Sequence, residues 1–157
     1  MDIVIRHALP SDAAVIAAGV KELTDEIMAR TGAPHFVVDA VQIENDCRNF
    51  LKSERYAVYL AEGAGAQCAG FATLCESRAL YAGGSFGIIQ EFYVAPQFRS
   101  AGLGRRLLDV IAAHGGRLGW KRLEMCTPPL PEFDRTLEFY RRNGFEITGG
   151  RKMKRLL

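Results

Sequence analysis

A mixed α/β fold, a six- to seven-stranded sheet flanked by about four helices, follows from three observations in this 157-residue chain. Segments that alternate apolar and polar residues are interleaved with segments whose apolar residues recur every three or four positions. Across Ile88 to Gly104, IIQEFYVAPQFRSAGLG, a strand, a turn and a helix start follow one another without a break. The full order reads β α α β β β α β α β β, so the strands flanking the helix from Leu103 are expected to be parallel neighbours. The length suits one domain, 1–157.

Asp2 to His7 places Ile3 and Ile5 among polar neighbours, the pattern of a half-buried strand. Pro10-Ser11-Asp12 starts a helix that continues over Ala13 to Ile27, with Val15, Ile16, Val20, Leu23 and Ile27 at helical spacing. Thr31 to Pro34 breaks it, and a second amphipathic helix covers Asp39 to Leu51. Tyr56 to Glu62 and Gln67 to Cys75, rich in aromatic and β-branched residues, form a hairpin around Gly63-Ala64-Gly65. The strand Ile88 to Val94 comes next, then the helix from Leu103. Its adjacent Gly115 and Gly116 each cost about 1 kcal/mol relative to alanine, so its end is either loose or packed tightly against a neighbour. Lys121 to Thr127 reads as a strand. A helix from Glu132 ends at Asn143-Gly144, and a last hairpin joins Phe145 to Thr148 with Arg151 to Leu157.

Composition narrows the class. Apolar residues make up 48% and charged residues 24%, an ordinary soluble balance, and no apolar run approaches the roughly 18 residues of a membrane span. No basic head with an apolar block opens the sequence, which makes the cytoplasm the expected compartment. Cys47, Cys68, Cys75 and Cys126 lie far apart without a C-x-x-C, so neither a metal site nor a disulfide framework is expected, and core filling is their plain reading. Residues 1–96 hold 7 Lys/Arg against 12 Asp/Glu, whereas residues 97–157 hold 13 against 6. A basic second half suits a polyanionic cofactor and an acidic first half suits a cationic substrate, although unevenly charged solvated surfaces would give the same counts.

Arg99 to Gly104 places small residues where a loop must let an anion reach main-chain N–H groups at a helix N-terminus. Phosphate fits such a loop. Glu91 is a carboxylate in an otherwise apolar strand, which calls either for a chemical role or for an ion pair with a neighbouring arginine. Tyr140 shares a helix face with Phe133 and Leu137, so packing alone would also account for it.

Arg99-Ser100-Ala101-Gly102-Leu103-Gly104, preceded by a strand ending Val94-Ala95-Pro96, resembles the signature loop of the GCN5-related N-acetyltransferase (GNAT) superfamily. Phe139-Tyr140-Arg141-Arg142-Asn143-Gly144-Phe145 is similar to that family's late Phe-Tyr-x-x-x-Gly-Phe segment. The element order agrees over nearly the whole chain. The resemblance implies direct transfer of an acetyl group from acetyl-CoA to a primary amine in a ternary complex. It implies that main-chain groups of Arg99, Ser100, Ala101, Gly102, Leu103, Gly104 and Arg105 hold the pyrophosphate. Phe92, Tyr93 and Val94 would pair with the pantetheine arm along a bulged strand. By the same resemblance, Tyr140 protonates the leaving thiolate and Glu91 faces the amine and takes its proton.

Two positions depart from the pattern: Phe133 stands where asparagine is frequent, and Thr136 where alanine is. Cys126 offers a nucleophile, against the family's direct route. The resemblance also implies that Glu22 to Phe36 and Ser77 to Gly87 form the acceptor site, and Glu22, Asp25 and Glu26 there either draw a cation or form a solvated face. Neither a nucleic-acid motif nor a membrane element accompanies the basic tail, and its last strand offers an edge for a homodimer. The rival reading is an acyl-CoA-binding module without catalysis.

Overall fold

Residues 2–157 are described by a computed structural model. The chain divides into two compact units, one reaching to Cys126 and the other spanning Thr127–Leu157.

The first unit holds one five-stranded sheet in the order β1-β2-β3-β4-β5, formed by Val4–His7, Tyr56–Glu62, Cys68–Ala79, Gly84–Val94 and Leu123–Met125. The first four strands pair antiparallel. β4 and β5 pair parallel, with Gly87, Ile88 and Ile89 opposite Leu123, Glu124 and Met125, as the intervening helix requires. That helix is α3, Leu103–Arg117; α1 is Ala13–Thr31 and α2 is Ala40–Phe50.

Local chemistry sets the ends of these elements. Asp39 caps α2 by accepting from the N–H groups of Val41 and Gln42 at 2.9 and 3.2 Å. α1 runs four residues past its expected end before Gly32 closes it in the left-handed conformation. Phe71 of β3 lies so close to α1 that a Cβ on Gly19 would come within 2.5 Å of its ring. On the opposite face Gly70 lies against Leu107 of α3. Of the two alternatives for the end of α3, tight packing is the one realised: a Cβ on Gly115 would stand 2.9 Å from the ring of Trp120.

The second unit contains α4, Asp134–Arg142, with Phe133 and Tyr140 buried. Among the described residues the expected final hairpin does not form, and the sheet there has five strands rather than six or seven. Four basic residues crowd positions 151–155, and the apolar residues among them face solvent, with Met153 at 90% and Leu156 at 85% exposure. Such a segment has no apolar face to bury, and a lone two-stranded hairpin is marginal in water. Core filling describes the buried Cys47, whereas Cys126 is exposed. Among the described residues, no helix is long and apolar enough to cross a membrane.

Candidate active site

Parallel pairing between β4 and β5 stops at Ile89, five residues before β4 ends. On its other side β4 pairs with β3 along its length, but three steps from Ile89 to Phe92 match only two steps from Leu74 to Ala72. β4 therefore carries a bulge at Gln90 and Glu91, the feature that the spacing of the sequence did not reveal. A bulge bends the strand and increases its twist. It lies where the β4–β5 ladder ends.

Beyond the bulge, Ala95 N–H donates to Ala69 O at 2.9 Å, in register with the Phe71–Tyr93 and Gly70–Val94 pairs. Because hydrogen-bonded pairs alternate along an antiparallel ladder, Tyr93 directs its main-chain groups to β3, and Phe92 and Val94 direct theirs to the side vacated by β5. Of the three residues expected beside the pantetheine arm, two have that orientation. The carbonyl of Val94 accepts from Arg99 Nε at 2.8 Å.

At the end of β4 the loop turns into α3 through Ser100 and Gly102, whose φ angles are +62° and +81°. Gly102 meets no cost there, since it has no Cβ to oppose the left-handed region. No side chain caps α3, and its first hydrogen bond runs from Arg106 N–H to Gly102 O at 3.1 Å. The N–H groups of Leu103, Gly104 and Arg105 therefore precede the helical ladder, at its positive end. This arrangement fits a pyrophosphate.

Arg99 is arranged differently from the rest of the loop. Its N–H donates to Pro96 O at 3.3 Å, and its guanidinium grips both carboxylate oxygens of Glu26 on α1 at 2.9 and 2.7 Å. The pairing holds the Glu26 carboxyl below its ordinary range. Arg99 therefore ties α1 to the strand end, with its N–H and guanidinium both engaged there. The other acidic residues of α1 have partners too: Asp25 binds Lys21, and Glu22 accepts from the Tyr93 hydroxyl. A solvated and locally paired helix face accounts for these groups better than a cation trap. Glu22 and Tyr93 also line a pocket of about 230 Å³ with Gly19, Cys68 and Gln97.

Glu91 lies at the bulge. Its N–H donates to Thr73 Oγ1 at 2.9 Å, and the Thr73 hydroxyl donates to the Glu91 carboxylate. Thr73 shares the α1-facing side of β3 with Phe71, two residues away. The Glu91 charge is felt by Cys47 of α2 and Tyr56 of β2. Burial first, and Glu91 second, push the Cys47 thiol up to about 11 and raise the Tyr56 phenol as well. The carboxylate thus sits among protonated neighbours on the face formed with the first two helices. Glu91 stands out in the sequence as a carboxylate in an apolar strand, whereas Thr73 carries no such signal, because nothing local connects positions 18 residues apart.

Tyr140 belongs to the second unit. Its ring stacks edge-on with Phe139 and Phe145, at centroid distances of 5.1 and 5.4 Å, and its carbonyl accepts from the N–H groups of Asn143 and Phe145. Burial raises the phenol's affinity for its proton. Phe133, where the resemblance expects asparagine, starts α4 and accepts from Leu137 N–H at 3.1 Å through its carbonyl.

Residues 53–147 match a sequence-family model described as an acetyltransferase (GNAT) domain. A comparison with curated proteins gives no match. Among solved structures, the aminoglycoside N-acetyltransferase AAC(6')-Iy in complex with CoA is similar over 99% of this chain and 95% of its own, with a TM-score of 0.78 and 20% identity. The ribosomal-protein-alanine N-acetyltransferase of Brucella melitensis biovar Abortus 2308 aligns with 99% of this chain and 100% of its own, at a TM-score of 0.71 and 19% identity. The integron cassette protein HFX_CASS3, from the mobile metagenome of Cole Harbour Salt Marsh, covers 98% and 90%, at 0.78 and 23%. At these identities the likeness is one of fold.

Proposed function

This chain is an N-acetyltransferase of the GNAT family, and we propose that it moves an acetyl group from acetyl-CoA directly to a primary amine, with residues 1–157 working as one domain. The observation that carries the proposal is the pairing of an uncapped helix N-terminus with a bulged strand whose parallel neighbour stops at Ile89.

Bound acetyl-CoA supplies the thioester carbon that the amine attacks. The N–H groups of Leu103, Gly104 and Arg105, with those of Ser100, Ala101 and Gly102 before them, bind its pyrophosphate, where helix polarity favours negative charge. Arg99 keeps that loop against α1 and leaves the anion to its neighbours. Phe92 and Val94 orient the pantetheine arm by strand-like pairing.

Glu91 takes the proton that the amine must lose, directly or through a water. Tyr140 gives a proton to the departing thiolate, whose ordinary pKa near 8.5 lies below that of a phenol. Its buried ring favours the protonated form that this role needs.

A cationic amine is the proposed acceptor. An aminoglycoside N-acetyltransferase of this fold has been captured with a bisubstrate analogue, CoA-S-monomethyl-acetylneamine, and another with sisomicin, which makes amino sugars the first class to test. The decisive experiment incubates the protein with acetyl-CoA and separate panels of aminoglycosides, polyamines, amino acids and peptides, and follows thiol release. Turnover with one panel supports the proposal. Tight CoA binding with no turnover on any panel would favour the non-catalytic acyl-CoA sensor.

A further inference from the structure

We propose that Thr73 is the positioning residue for Glu91, closing the bulge of β4 and orienting the carboxylate with a single hydroxyl group. The inference rests on Glu91 as the base that deprotonates the amine. It identifies what makes that base a fixed one.

A bulge takes one residue out of the regular ladder and leaves its N–H without the expected carbonyl. In this sheet the N–H is that of Glu91, and the acceptor is Thr73 Oγ1 at 2.9 Å. A hydroxyl has one proton and two lone pairs. With a lone pair directed at the Glu91 N–H, the Thr73 proton is donated to the carboxylate of the same residue. Main chain and side chain of Glu91 are thereby referred to one oxygen. That oxygen belongs to a residue only 1% exposed, so bulk water does not compete for it. Threonine is also β-branched, and in a strand flanked on both sides its χ1 has little freedom. Opposite Thr73 in β2 is Val58, which is fully buried, and the polar neighbour from that strand is Tyr56, whose phenol shares a side-chain hydrogen bond with Thr73.

The groups that share the electrostatics of this site are Cys47 and Arg48 from α2, Tyr56 from β2, Cys75 from β3 and Asp12 just before α1. Thr73→Val preserves shape but removes both hydrogen bonds to Glu91, together with the side-chain hydrogen bond to Tyr56. A carboxylate that loses a donor is less stable in its charged form, so its titration moves to higher pH.

The test is carboxyl 13C NMR on protein labelled at glutamate, with the Glu91 signal assigned by its loss in Glu91→Gln. Thr73→Val is expected to raise the Glu91 midpoint by about one pH unit, and Thr73→Ser to restore it. A Thr73→Val midpoint within about 0.2 unit of wild type overturns the proposal. If Thr73→Val does not fold, the wild-type protein decides: the Glu91 amide and the Thr73 methyl must titrate with the Glu91 midpoint, and the absence of either response overturns it. The base assignment is tested separately, with the kcat–pH profile on the best amine from the panels. Unchanged kcat in Glu91→Gln removes the base but leaves the NMR result to stand or fall by itself.

Discussion

The loop leading into α3 and the bulge of β4 lie near the end and near the beginning of the same stretch, Ile88 to Gly104, and they are built from different materials. At the loop, the groups that fit the pyrophosphate are main-chain N–H groups, presented by two left-handed residues and the uncapped start of a helix. At the bulge, the group that fits the chemistry is one side chain, held by another side chain from the neighbouring strand. A main-chain site tolerates most substitutions that preserve backbone conformation. A side-chain site tolerates few substitutions of any kind. Losses at the bulge should therefore appear in turnover, and losses at the loop in cofactor affinity.

The contrast can be broken most directly at Glu91. Glu91→Gln is expected to lower kcat by about 100-fold or more at pH values where the wild-type carboxyl is ionised, with CoA affinity unchanged by calorimetry. A parallel loss of CoA affinity would merge the two regions into one. Gly102→Val should show the reverse. Apart from its neighbours in the chain, no atom lies within 4 Å of a Cβ at Gly102, so the fold has room for the side chain, but valine resists φ of +81°. Displacing two or more charge-assisted N–H contacts predicts CoA binding weaker by at least about 100-fold, with the melting temperature changed far less.

Arg99→Met probes the link between α1 and the loop and should have a smaller effect. CoA affinity should fall by less than about tenfold. Stability at pH 7 should fall by about 0.5 to 1 kcal/mol, since the pair is partly exposed and screened. The Glu26 carboxyl is depressed in the folded state, so this contribution is present above its unfolded pKa and is lost as pH falls through the folded one. The difference between wild type and variant in urea titrations should shrink below about pH 4.3. Ser100→Gly is the mildest case. It relieves a non-glycine residue at φ of +62° and should change stability by no more than about 1 kcal/mol, leaving CoA affinity as it was. A large affinity loss from Ser100→Gly would show that its side chain matters, contrary to a main-chain site.

The sequence by itself determined whatever depends on residues near one another along the chain. Apolar spacing set the helices, alternation set the strands, and the small residues of Arg99 to Gly104 marked the turn into α3 before any partner was known. The same local reading promised a last hairpin from the turn signal at Gly149-Gly150, and there the charges at 151–155 left no apolar face for a strand to bury. Tertiary structure alone decided the bulge, because one extra residue in β4 has meaning only against the register of β3. It also decided that Arg99 would grip Glu26, 73 positions away, and that Glu91 would meet Thr73 across the sheet. Both outcomes have the same physical cause. A charged or hydroxyl group carries no local signal of its partner, and only the packing of strands and helices brings the two within hydrogen-bond distance.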